Sequence, residues 1–112
     1  MRTVRTLMRD AGLHTIAFTI DGPIYRTDLS GLCARVGALL GASGASVANC
    51  DVRGADPDAV TVDALARLQL AARRNGCKVR LRHASDELLA LVELMGLTDA
   101  FPDEFSSRPR SQ

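Results

Sequence analysis

The sequence predicts an α/β fold, a small mixed β-sheet with amphipathic helices packed on it. Short segments in which apolar and polar residues alternate are separated by longer segments in which apolar residues recur every three or four positions, as expected for strands joined by helices. The chain has 112 residues, of which 46% are hydrophobic and 24% charged, so it has the composition of a globular protein and the length for one core. Helical connections imply parallel pairing of the strands they join, through right-handed crossovers.

The first predicted strand and helix occupy residues 15–44. Large apolar side chains lie on one side of the strand Thr15–Ile20, which gives the strand one buried face. Thr27 or Asp28 is expected to cap the helix that follows, and this helix is expected to decay in the turn at 41–44. Its apolar stripe consists of Leu29, Leu32, Cys33, Val36 and Leu40.

The second unit is a strand at residues 46–52 followed by a long helix. Asp56 and Pro57 predict the helix start, because Asp accepts hydrogen bonds from the amides of a first turn and Pro at the first helical position loses no needed donor. Gly76 is expected to end the helix in the left-handed conformation. The predicted core face holds Thr61, Ala64, Leu65, Leu68, Ala71 and Ala72. The predicted outer face holds Asp63, Arg67 and Arg74, the first two forming an ion pair.

The last predicted strand, Lys78–Arg82, turns two apolar residues inward between basic ones. Ser85 is expected to cap the final helix, and Gly96 is expected to end it. The core face of this helix is predicted to hold Leu88, Leu91, Val92 and Met95. Because the strands alternate, we expect one sheet face to be partly open, or covered by residues 1–13 or by a partner.

No arrangement of residues in the sequence points to catalysis, a metal or a cofactor. His14 and His83 are the two histidines, and each lies at a strand end without a Ser or Cys at the spacing of a catalytic nucleophile. The three cysteines form no CxxC pair, and no glycine-rich loop of the phosphate-binding type is present. We therefore expect neither an enzyme nor a protein that binds a metal or a cofactor.

Charge and hydropathy bear on the compartment and the partners. The formal net charge is +1, which does not favour a nucleic-acid partner. Every apolar segment is interrupted well before the roughly 18 residues that a membrane span needs, and the N-terminus has no secretory signal pattern. We expect a cytoplasmic protein without direct membrane insertion.

Two surface features leave a functional and a structural interpretation open. Leu70 lies on the side of its helix that faces away from the predicted core, with Val62 and Ala66 on the same flank. It is either part of a protein-binding surface or a single exposed leucine. The second feature, the basic row, consists of Lys78, Arg80 and Arg82. The row is either a contact for an acidic partner or an anionic headgroup, or a solvated strand face.

Several segments occur in an order that resembles the STAS family, the sulfate-transporter and anti-sigma-factor-antagonist domain. They are VANCD at 47–51, VDALARL at 62–68, Asn75-Gly76, KVRL at 78–81, SDELL at 85–89 and LMGL at 94–97. The first strand, DGPI at 21–24 and the helix after it extend the resemblance to nearly the whole chain beyond Leu13. The resemblance implies a STAS-like domain at 14–105, an N-terminal extension at 1–13 and a flexible tail at 106–112.

Members of this family that act in partner switching carry an Asp-Ser-small-Gly motif at the start of the central helix, where a kinase that is also the anti-sigma factor phosphorylates the serine. The unphosphorylated protein binds the anti-sigma factor and thereby frees the sigma factor. Counting back from Gly76 without a gap places Pro57-Asp58-Ala59-Val60 on the motif, with Asp58 at the serine. A register one turn shorter places Thr61-Val62-Asp63-Ala64 there, with Val62 at the serine. Neither register contains the serine.

The resemblance and the residues together predict a non-enzymatic regulatory module that binds a protein through the loop and helix start at 54–62. The predicted partner-binding residues are Asp56, Asp58, Ala59, Val62, Ala66 and Leu70. Asp58 carries one negative charge at a helix N-terminus and would weakly mimic a phosphate, whereas Thr61 is the nearest candidate for phosphorylation.

The resemblance implies an anti-sigma factor or another regulatory protein as the partner, and a second copy of the chain is a further candidate. An alternative is an accessory subunit of an ABC or anion transporter, contacting its complex through the basic row or the N-terminus. A small-ligand or nucleotide sensor is a third interpretation, based on the polar loop at 51–58.

Overall fold

Four strands form one mixed sheet in the order β1-β2-β3-β4. The computed structural model describes residues 4–6 and 15–106. Strand β1 (Val4–Thr6) pairs antiparallel with β2 (Thr15–Ile20), and β3 (Val47–Asp51) and β4 (Lys78–Arg82) continue the sheet in parallel. The sheet and the helices packed on it confirm the predicted α/β class.

Helices connect the parallel strands and cover one sheet face. Helix α1 (Leu29–Ser43) joins β2 to β3, and α2 (Ala59–Arg74) joins β3 to β4. Helices α3 (Asp86–Leu94) and α4 (Pro102–Ser106) follow β4. Short 3-10 helices precede α1 at Arg26–Asp28 and α4 at Thr98–Ala100.

The buried face of the sheet follows from the alternation of the strands and their register. Ile16 lies beside Ala48, which lies beside Val79, and the next inward row is formed by Phe18, Cys50 and Leu81. All six side chains are at most 4% exposed and belong to the same core cluster as the inner faces of α1, α2 and α3. The opposite face of the sheet is partly open and carries the basic row, whose three side chains are exposed.

The predicted bounds of β2 and β4 are confirmed, and β3 is one residue shorter at each end than predicted. Helix α1 does not decay from Gly41, as the glycines suggested, but continues to Ser43. Its end is set by Gly44, which adopts a φ of 65°. Ser43 strengthens this end because its hydroxyl donates to the Leu40 carbonyl and accepts from the Ala45 amide.

The start of α2 differs from the prediction. The N-cap is Asp58 rather than Asp56, and its Oδ1 accepts a hydrogen bond of 2.8 Å from the Thr61 amide. Pro57 therefore precedes the helix instead of opening it. The physical reason is that an N-cap side chain must reach the amide three residues later while its own backbone is extended, and Asp58 meets both conditions with φ −134° and ψ 172°.

The core face of α2 is largely as predicted. Thr61, Ala64, Leu65, Leu68 and Ala72 are buried, whereas Ala71 is only half-buried. The helix ends as expected before Gly76, which adopts a φ of 67°. The ion pair between Asp63 and Arg67 is confirmed, with 3.0 Å between Oδ1 and Nε.

Gln69 and Val62 are the buried residues of α2 that the periodicity did not predict, and Gln69 is the polar one. Its Oε1 accepts from the Val79 amide at 2.9 Å, and its Nε2 donates to the carbonyls of Val79 at 3.0 Å and Ala100 at 2.7 Å. Glu104 Oε2 accepts from the Leu81 amide at 3.2 Å. These two side chains occupy the outer edge of β4, where a further strand would otherwise pair.

Ser85 caps α3 as predicted, since its hydroxyl accepts from the Leu88 amide at 3.1 Å. Leu88 and Val92 are buried, but the expectation that Met95 lies on the core face is wrong, because Met95 is 40% exposed. The helix already ends at Leu94, so the periodicity no longer applies at Met95. Leu89 is buried instead.

The predicted N-terminal extension contributes to the sheet. Its residues Val4–Thr6 pair with the edge of β2, with Val4 opposite Ile20, so this part lengthens the sheet at its edge. His14 and residues 107–112 of the predicted tail lie outside the described residues, whereas residue 106 ends α4. Within the described part of the chain, no helix combines the length and the apolar character needed to cross a bilayer.

Candidate functional site

Three loops meet where the parallel strands end. The loop after β2 contacts the loop after β3 through a 2.8 Å hydrogen bond from the Gly22 amide to the Gly54 carbonyl, and the Val52 amide donates to the Arg82 carbonyl at 3.0 Å. The loops approach so closely that a Cβ on Gly54 would lie 2.6 Å from Asp21 Oδ1. These loops form the edge of the sheet at the carboxyl ends of the parallel strands.

The loop and helix start at 54–62 form one side of this edge. Pro57 and Ala59 are exposed, and Asp56 and Asp58 are half-buried. Asp58 is held in place by its cap to Thr61, and its backbone amide donates to the Asp56 carbonyl at 3.0 Å. The predicted docking segment is therefore the start of a helix at the protein surface. The hydrogen bond from the Thr61 amide fixes the position of the Asp58 carboxylate there.

Beside this helix start lies an apolar surface, here called the α3 shelf, formed by Pro57, Ala90, Leu91 and Leu94. It borders a shallow cavity of about 450 Å³, which Glu87 also lines. Leu94 is 80% exposed, the highest value among the exposed large hydrophobic side chains of the described residues. Sequence reasoning missed the shelf. Its signal was a second stripe at 87, 90, 91 and 94 beside the core stripe of α3.

The charges next to the α3 shelf have one sign. Glu87 lines the cavity and Asp86 precedes it in the first turn of α3, while Asp56 and Asp58 flank Pro57. No basic side chain lines the cavity among the described residues. The surface therefore combines an apolar centre with an acidic border.

The structure divides the predicted partner-binding residues between different environments. Asp56, Asp58 and Ala59 lie next to the α3 shelf, but Leu70, which is 56% exposed, lies in a separate groove between α1 and α2. Ala66 is half-buried. The remaining member of the set, Val62, is fully buried.

The inclusion of Val62 in a contact surface is therefore wrong. Val62 is 0% exposed and belongs to the same core cluster as Leu65. Val62 lies one turn before Ala66 on the helix, but it shares a face with Leu65, one turn on, and Gln69, two turns on, and both of these are buried. Its side chain packs with them into the core. A partner cannot contact it without opening the core.

The candidate phosphorylation site is also inside the core. Thr61 is 0% exposed, and its Oγ1 has no hydrogen-bond partner among the residues that the structure describes. In the register that places Val62 at the family's serine, both Thr61 and Val62 are buried. In the ungapped register the corresponding residue is Asp58, which reaches solvent at the helix start.

The three thiols are unpaired and not activated. Burial raises the pKa of the Cys33 thiol, although the nearby Arg67 guanidinium lowers it in part. Burial also raises the pKa of Cys50 and Cys77. Since a nucleophilic cysteine needs a lowered pKa, none of them has the electrostatics of a catalytic thiol.

The described residues contain no group of three or more His, Cys, Asp or Glu side chains placed to hold a metal ion.

His83 is exposed at the end of β4 and has a φ of 62°, an uncommon conformation for a residue other than glycine. Tyr25, in the loop after β2, is 56% exposed and was not predicted to matter. It adds an aromatic side chain to the strand-end surface.

No protein-family model matches the chain, and no curated protein matches it. The resemblance to the STAS family thus depends on the order of the segments quoted above.

Proposed function

We propose that the chain is a non-enzymatic, cytoplasmic regulatory module that binds a protein partner in the manner of an anti-sigma-factor antagonist. The observation that carries the proposal is the α3 shelf beside the exposed start of α2, on which Leu94 is 80% exposed. Contiguous apolar residues bordered by polar ones are typical of protein-binding surfaces. The partner surface that fits has an apolar side chain surrounded by Lys or Arg.

The polar groups of the strand-end loops favour binding over catalysis. Asp58 and Ser85 accept hydrogen bonds from helix amides, and Asp51 Oδ1 accepts from the Arg53 amide at 2.9 Å. These side chains stabilise the backbone of the loops and are held in defined positions by it. Such a surface is preorganised for a partner, which reduces the entropy lost on binding.

Under the proposal, this module is not regulated by phosphorylation of the motif serine, because the chain has no serine at that position. Asp58 provides a permanent charge at the helix start, about half of that of a phosphate group. A serine kinase cannot add or remove it. The module therefore stays in one binding state, and its regulation lies in the amount or the conformation of its partner.

The test is binding of the purified chain to the purified anti-sigma factors of its native host, measured by calorimetry. We expect one of them to bind, and we expect Leu94→Glu and Asp58→Arg each to weaken binding about tenfold or more, because the first puts a charge on the apolar surface and the second reverses a charge at its border. Ala42→Glu, at an exposed position near the end of α1, is the matched control and should leave the affinity unchanged. Binding to none of these proteins, or binding that both variants leave intact, contradicts the proposal.

The exposed basic row favours one second function, that of an accessory subunit of a transport complex. Its side chains stand on the partly open face of β4, at the opposite side of the sheet from the helices. This function predicts that the chain sediments with membranes only when a transporter subunit is present, and that Arg82→Glu reduces the sedimented fraction. Sedimentation that does not depend on a transporter subunit excludes it.

A further inference from the structure

The groove between α1 and α2, here called the α1–α2 groove, is separate from the α3 shelf. It forms a cavity of about 420 Å³ on the outer side of the helix layer. Ser30, Cys33 and Ala34 line it from α1, and Arg67, Leu70 and Arg74 line it from α2. Nothing in the proposed function uses this groove.

The groove exists because α1 presents small residues towards α2. Its flank on that side consists of Ser30, Cys33, Ala34, Gly37 and Gly41. A Cβ added at Gly37 would meet no atom within 4 Å, so the chain has room there, whereas a Cβ on Gly41 would lie 3.3 Å from Asn75 Oδ1. There is thus open space beside Gly37, whereas α1 approaches Asn75, the residue after α2, at Gly41.

Leu70 stands at the wall of this groove and is 56% exposed. Its neighbours on the same wall are Arg67 and Arg74, one turn before it and one turn after it, and both are exposed. Asp63 Oδ1 accepts a hydrogen bond of 3.0 Å from Arg67 Nε, so one edge of this guanidinium is paired within α2. The Arg74 guanidinium makes no hydrogen bond or ion pair with a described residue. The wall therefore has an apolar centre between two cations.

We propose that the α1–α2 groove binds the apolar face of an acidic amphipathic helix from a partner protein. Small residues on α1 allow a helix to approach closely, Leu70 provides the apolar contact, and Arg67 and Arg74 pair with carboxylates spaced about two turns apart on the partner. A second copy of the chain does not fit, because it would bring the same two arginines against each other.

The test uses two synthetic helical peptides of about 18 residues, one with a leucine stripe flanked by Glu and the other with Lys in place of each Glu. Fluorescence anisotropy measures their binding to the full chain. We expect the acidic peptide to bind about tenfold or more tightly than the basic one, and less tightly as salt is added. Alkylation of Cys33, the one cysteine of the three that is not buried, should slow when the acidic peptide is bound.

Three variants locate the binding. Leu70→Glu should abolish binding of the acidic peptide, and Arg74→Glu should weaken it about tenfold while strengthening binding of the basic peptide. Leu94→Glu, on the α3 shelf, should change neither, so a failure of the proposed function and a failure of this inference are distinguishable. Circular dichroism checks that each variant is folded. Equal binding of the two peptides, binding of neither, or an Arg74→Glu variant with unchanged preference overturns the proposal.

Discussion

Gln69 should make one of the largest single contributions to stability of any polar side chain in this protein, and the replacement Gln69→Leu tests that expectation. Leucine is close to glutamine in size, so the change removes the amide without leaving a large cavity. It deletes three hydrogen bonds, at 2.9 Å to the Val79 amide and at 3.0 Å and 2.7 Å to the carbonyls of Val79 and Ala100.

The magnitude follows from the surroundings of the groups that lose their partner. Val79 is 2% exposed, so its amide and its carbonyl at the outer edge of β4 cannot turn to water. An unsatisfied buried group costs about 1–3 kcal/mol, which gives about 2–6 kcal/mol for the two groups. Ala100 is half-buried, and water can replace its bond. Burying the leucine returns about 1 kcal/mol, so we expect a net loss of about 3 kcal/mol in the free energy of unfolding.

Urea unfolding followed by circular dichroism measures this loss. A domain of this size has an unfolding free energy of about 5–15 kcal/mol, so the variant should still fold, with a lower urea midpoint and an unchanged slope. Leu70→Gln, the reverse exchange at the adjacent exposed position, is the matched control and should change stability by less than about 0.5 kcal/mol. Hydrogen exchange should show loss of protection at the Val79 amide. A loss below about 1 kcal/mol with the Val79 amide still protected would refute the reasoning.

Two further predictions concern buried groups. Thr61→Val should raise the free energy of unfolding by about 1 kcal/mol in the same urea assay, because it removes a buried hydroxyl that has no hydrogen-bond partner in the described part of the chain and keeps the shape of the side chain. A loss of stability would instead reveal a partner for Oγ1. Burial raises the pKa of the Cys50 thiol, so above pH of about 8.5 the unfolded chain releases a proton that the folded chain retains. Stability should therefore be intact below that pH and should fall above it by up to about 1.4 kcal/mol per pH unit from this thiol. Urea unfolding at a series of pH values should show a smaller decline for Cys50→Ala, and an equal decline would contradict the assignment.

The helix start at one side of the candidate site could be predicted from the sequence, whereas the α3 shelf beside it depended on packing. The local cue of Asp56 and Pro57 predicted the start of the central helix two residues too early, and periodicity placed Leu70 on the outer face of that helix. Val62 was assigned to the wrong side because it lies at the boundary of the apolar stripe, where a helical wheel does not show how far a neighbouring element covers the flank. Leu94 was overlooked as a surface residue because its exposure depends on where α3 ends and on what packs beside it.

The sequence by itself determined the elements whose signals are local. The alternation in Thr15–Ile20 and Lys78–Arg82, the Ser85 cap and the left-handed turn at Gly76 each depend on a few consecutive residues, because backbone geometry and hydrogen bonding act over one turn or one strand. The tertiary structure decided which remote segments meet. The contact of Gln69 with Val79, the shelf that Pro57 forms with α3 and the groove between α1 and α2 join segments far apart in the chain, and no local period encodes the distance between two helices packed on the same sheet.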